Sequence, residues 1–201
     1  MPKETDHLPE IDLDSLLGDL PVQARGEENK IKGLINLDLY KSGSLREIAR
    51  AQNFSDADPV VTDIARKIQD KLWDKRVEKL KPEFQLVMKS EVPTGRDAAA
   101  HLFTIGEQQL DTEIDDVKQE LRVLEQRISK LNTIPEKDRG PADKGHLEFA
   151  QTETAEKINY RKALESIGRT PGYFELTDQW KKGDASVKKE TEQKIEQLLS
   201  K

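Results

Sequence analysis

The stretch LDTEIDDVKQELRVLEQRISKL, residues 110–131, decides the fold. It sets Leu110, Ile114, Val117, Leu121, Leu124, Ile128 and Leu131 at alternating steps of four and three. A straight α-helix drifts off such a seam, so a sustained seven-residue period implies a helix wound against another helix, each apolar knob held between residues of its partner. These seven residues are assigned to helix association and oligomerisation. With Ile114, Leu121 and Ile128 at a positions, Glu113 and Lys118 attract across a parallel dimer, whereas Glu120 and Glu125 repel. An intramolecular hairpin, or a ring of several subunits, suits these charges better than a parallel homodimer.

Working outward, the seam belongs to a helix expected from about 97 to 132. Residues 133–145 hold Pro135, Gly140, Pro141 and Gly145 and read as a turn. A second helix is expected over 146–167, with Leu147, Ala150, Thr154 and Ile158 inward, so that 97–167 forms a coiled-coil hairpin. Residues 168–201 follow as an aromatic segment, with Tyr173, Phe174 and Trp180, and a helix over 185–199 too polar to be stable alone. On the other side, 82–96 reads as a connector broken by Pro82, Pro93 and Gly95. Residues 27–81 read as a helical domain. Residues 1–26 read as an acidic, largely disordered arm, in which Leu13, Leu16, Leu17 and Leu20 share one side of a short helix able to fold onto a partner's groove. The fold class is all-α.

Composition bounds the rest. Only 34% of residues are hydrophobic against 36% charged, and 5% are aromatic, so the core is thin and stability comes from narrow helix-helix seams and assembly. Cysteine is absent, which excludes disulfides, thiolate metal sites and a cysteine nucleophile. The acidic start has no apolar run like that of a signal peptide, and no 18 consecutive apolar residues occur, so a cytoplasmic protein without a membrane span is expected. The net charge of −6 is uneven: residues 27–81 carry a net +2, and 64–81 alone carry seven basic side chains against three acidic ones. Attraction to polyanions centres there, although a solvated helix face has the same composition.

Within that block, Ile31, Leu34, Ile35 and Leu39 share one face of a first helix that ends near Tyr40 to Gly43. Ser44 and Glu47 stand at capping-box spacing before a short helix, Asn53 can take the left-handed conformation of a turn, and Ser55 offers another cap. A third helix starts near Asp58 or Pro59 and turns Val61, Ile64, Ala65, Ile68 and Leu72 inward.

The stretch YKSGSLREIARAQNFS, residues 40–55, resembles the helix-turn-helix of DNA-binding domains. The resemblance implies that Ala49 lets two helices approach, that Asn53 makes the bend, and that the helix after Ser55 enters the major groove. It further implies a DNA-contacting set of Ser44, Arg46, Arg50, Ser55, Thr62, Arg66 and Lys67. In that set Arg46 and Arg50 meet phosphates, and Thr62 and Arg66 lie nearest base edges. The sequence departs from the pattern where Asp56 to Pro59 lengthens the turn and where Asp56, Asp58 and Asp63 put acid in place of base. Helix-turn-helix, coiled hairpin and charged tail together are similar in layout to small terminase subunits of tailed phages, which implies DNA recognition, ring assembly and a role in viral DNA packaging, in the host cytoplasm.

Nothing in the sequence names a reaction. His7, His101 and His146 are isolated, with no pair at the i, i+4 spacing of a helical metal site, and no glycine-rich loop ending in Gly-Lys-Ser/Thr is present. No metal, no cofactor and no catalysis are expected. The expected function is an oligomeric DNA-binding protein. The alternative is a helical scaffold, chaperone or adaptor that binds protein partners and no nucleic acid, through its N-terminal arm or residues 168–201.

Overall fold

The structure, a computed structural model, describes residues 26–51, 58–90 and 95–200. Among them the protein is all-α: every named element is helical, and the sole extended pairing is a single bridge between Leu80 and Ser200. The acidic arm, and the turn residues Asn53 and Ser55 of the helix-turn-helix expectation, lie outside the described residues.

The first helix expected near 29–39 is two helices, α1 (Glu28–Leu34) and α2 (Leu37–Ser42). Asn36 divides them, because its side chain accepts from Leu39 N at 3.1 Å and so offers the backbone a start in place of continuation. Helix α3 (Leu45–Arg50) opens on the Ser44–Glu47 capping box, with Glu47 N donating to Ser44 Oγ at 3.1 Å and Ser44 N to the Glu47 carboxylate at 2.9 Å. Helix α4 (Pro59–Val77) starts where Asp58 accepts from Val60 N and Val61 N, with Pro59 supplying a ready-made first helical φ. Its inner face buries Val61, Ile64, Ala65, Ile68 and Leu72 against α1.

Pro82 does not break the chain. It is the first residue of α5 (Pro82–Met88), where a missing N–H costs nothing, and Phe84, Val87 and Met88 make that helix part of the core. The connector expected over 82–96 is thus helical for most of its length, since α6 (Gly95–Leu102) begins at its end. The long helix expected from 97 to 132 is interrupted after Leu102. Phe103 and Ile105 both turn fully into the core, and Gly106 caps a new helix, α7 (Glu107–Asn132), donating its N–H to the Gln109 side chain at 3.1 Å. The Tyr173 hydroxyl donates to the Leu102 carbonyl and so takes up one of the acceptors that the break frees.

Helix α7 folds back on α8 (Pro141–Gly168) as an antiparallel hairpin. The intervening turn is closed by Arg139, which donates to the Ile134 carbonyl at 2.9 Å and to the Asn132 side chain at 3.1 Å. Helix α8 starts five residues before the expected His146, because Pro141 suits a first helical position and Asp143 accepts from Gly140 N at 3.0 Å; Gly145 sits inside the helix with open space around it. The aromatic segment is a helix, α9 (Tyr173–Lys182), entered through Gly172 at φ +80, a conformation that only glycine adopts cheaply. The polar last helix, α10 (Ala185–Leu199), has the expected bounds, with the Asp184 side chain accepting from Ser186 N and Val187 N.

What holds α10 is burial of charge as well as of Ile195 and Leu199. Glu192, 3% exposed, accepts from Ser44 Oγ at 2.6 Å, from Arg46 at 2.7 Å and from Trp180 Nε1 at 2.8 Å. Glu196 accepts from Arg76 at 2.7 Å and from Leu45 N at 3.1 Å, and Lys81 reaches the Leu198 and Leu199 carbonyls. The end of the chain is therefore built into the N-terminal helical unit.

Candidate binding site

The seam closes within one chain. Leu110, Val117, Leu121 and Leu124 are buried in this single protomer, α7 lying along α8, while Ile114, Ile128 and Leu131 are half-buried along the same line. The hairpin is thus the intramolecular one of the two arrangements expected, and Ile114, Ile128 and Leu131 keep part of their surface.

The DNA-contacting set is dispersed. Ser44 and Arg46 are buried on Glu192, and the Arg46 guanidinium also stacks 4.3 Å from the Trp180 ring centroid. Thr62 is half-buried with its hydroxyl covered, Ser55 lies outside the described residues, and Arg50, Arg66 and Lys67 are exposed, Lys67 being paired with Asp63 at 2.8 Å. Helix α3 lies mainly against α6, with little of its length on α4.

A different constellation is brought together where α5, α6, α7 and α8 meet. There the packing leaves a recess of about 460 Å³, with Leu86, Val87 and Ala98 as apolar lining and His101, Glu113, Lys157 and Tyr160 on its wall. His101 Nε2 lies 2.6 Å from Glu113 Oε2, and the Tyr160 hydroxyl donates to the other oxygen of Glu113. Ser90 Oγ donates to Glu156 at 2.8 Å, and Lys157 pairs with Glu120 at 2.5 Å.

Electrostatics follow from this wiring. The hydrogen bond to Glu113 lifts the His101 imidazole above its ordinary value, outweighing the opposite effect of burial. Burial alone pushes the Glu113 carboxyl up, but bonds from His101 and Tyr160, with the nearby Lys157 charge, hold it below the usual range. The Tyr160 phenol is driven far upward, first by burial and then by its carboxylate partner, so it stays a neutral donor. Both Glu113 oxygens are engaged and the phenol is not a nucleophile, so the group ties three helices together without leaving a free base. Among the described residues no set of three or more His, Asp or Glu side chains has metal-binding geometry, and no helix is long and apolar enough to cross a membrane.

Sequence reading missed this cluster because its members are distant in the chain. Glu113 carries the one local signal: it stands at a g position beside the seam, where a side chain borders the neighbouring helix. No protein-family model matches the chain, and neither a curated protein nor a solved structure matches it.

Proposed function

We propose that this protein is a non-enzymatic helical adaptor that holds a protein partner on the outer face of its α7–α8 hairpin. The observation that carries this reading is the 460 Å³ recess, which stays open although the hairpin's own seam is closed. Concave, partly apolar sites with a few fixed polar groups are where ligands and partner side chains lodge. Large apolar side chains left in solvent support it: Leu86 on the recess and Phe149 on the adjoining hollow are 55% and 52% exposed. A cytoplasmic location is part of the same proposal.

Filling the recess tests it. Ala98→Trp places an indole where the partner is to sit, and co-purified partners of the full chain are compared before and after the change. Retention of every partner by the filled protein, with unchanged folding by circular dichroism, contradicts the adaptor reading.

A second reading, DNA binding, is favoured by one observation: Arg66, Lys67, Lys71 and Lys75 are all exposed on α4. Phosphate contacts from such a row weaken steeply with salt. Duplex DNA titrated at low salt against Arg50→Ala combined with Arg66→Ala tests it, and a packaging role further needs a ring of copies.

A further inference from the structure

We propose that the open face of the hairpin receives an extended, basic segment of the partner protein, with one lysine or arginine side chain seated in the recess. This deepens the adaptor reading and rests on it. Two neighbouring hollows share lining residues with the recess. One neighbouring hollow shares its His101, Glu113, Lys157 and Tyr160 wall, and the other shares Glu153 and Glu156 and reaches Gly145 beneath Phe149. From Gly145 to Tyr160 the α8 axis advances roughly 22 Å at 1.5 Å per residue, the length of about seven residues of extended chain at 3.3 Å each.

Charge complementarity selects the occupant. Asp97, Glu113, Glu153 and Glu156 line the recess against the cations Lys157 and His101; Lys157 is engaged by Glu120, Glu113 by His101 and Tyr160, and Glu156 by Ser90, so the excess of acid is centred on Glu153. The flanking hollows add Asp116 and Glu120 on one side and Glu148 on the other. A phosphate backbone is repelled by this lining, and an uncharged apolar helix leaves the Glu153 carboxylate to be desolvated without a partner. A basic side chain satisfies both halves of the site: its aliphatic stem lies on Leu86, Val87 and Ala98 while its head meets carboxylate. Glu153 is the receiving group. It borders both the recess and the hollow beneath Phe149, and among the described residues it makes no hydrogen bond or ion pair. Phe149, 52% exposed and bordering the same hollow, is an aromatic ring within reach of a seated guanidinium.

The test is fluorescence anisotropy of a labelled heptapeptide, with lysine and leucine alternating about a central arginine, titrated with the full chain in about 0.15 M salt. Saturable binding is expected, weakened at least tenfold by Glu153→Lys and about threefold by Glu153→Gln. Glu125→Lys, an equal charge change at an exposed position outside the recess and both hollows, is expected to leave it unchanged. Absence of saturable binding, or equal weakening by Glu125→Lys and Glu153→Lys, overturns the proposal. If Ala98→Trp strips partners from the chain while the basic peptide fails to bind, the adaptor reading survives and the basic occupant alone is lost.

Discussion

His101 and Glu113 are joined across two helices by one bond, and that bond makes stability depend on pH in a defined direction. Because folding raises the imidazole above its ordinary 6.5, the contribution is fully present below that value and is lost as pH rises through the folded value. With His101 45% exposed, solvent screens the pair to below about 1 kcal/mol. Urea melts at pH 6 and pH 8 are expected to show the wild type losing more stability than His101→Gln over that interval; equal losses contradict the assignment. Glu192 is a different case. Its carboxylate is buried on Arg46, Ser44 and Trp180, so Glu192→Ala strands a buried guanidinium and is expected to cost about 3–5 kcal/mol, read as a lowered urea midpoint. Loss of the exposed Lys67–Asp63 pair by Lys67→Ala is expected to change stability by less than about 0.5 kcal/mol.

At the scale of elements, what was legible in the sequence was what short-range chemistry decides. Asp58 with Pro59, and Ser44 with Glu47, announce helix starts within three or four residues, and α4 and α3 begin there. The heptad stripe likewise announced a buried seam, because burial of one face leaves a period in the chain. The interruption at 103–106 was missed: Gly106 with Gln109 is a local start signal that an unbroken helix from 97 passes over, and the burial of Phe103 and Ile105, with Tyr173 on the Leu102 carbonyl, completes the separation of α6 from α7. Pro82 and Pro141 misled for a related reason, since a proline that breaks a helix and one that starts a helix are the same residue in different surroundings. The recess lies beyond local pattern altogether, as its walls come from four helices and its polar cluster spans His101 to Tyr160. Arg46, read as a phosphate contact, has its charge answered 146 residues away, a partner that nothing near it in the chain reveals.

The whole molecule is a closed loop of packing, in which the last helix returns to the first helical unit and the middle hairpin satisfies its own seam. That arrangement leaves the acid-lined recess as the face on which the proposed partner is to sit, and the proposal rests on the seam being closed within one chain. Leu121 and Leu124 are 5% and 7% exposed in a single protomer, and aspartate at both leaves buried carboxylates without partners. The most direct measurement is molar mass by light scattering, with thermal melting, for the wild type and for Leu121→Asp combined with Leu124→Asp. The account predicts a wild-type mass near the 22.9 kDa of one chain, and a double variant that melts far lower with no loss of subunits. A wild-type mass of several chains that falls to one on the double substitution, with the melting of the remaining monomer unchanged, contradicts it.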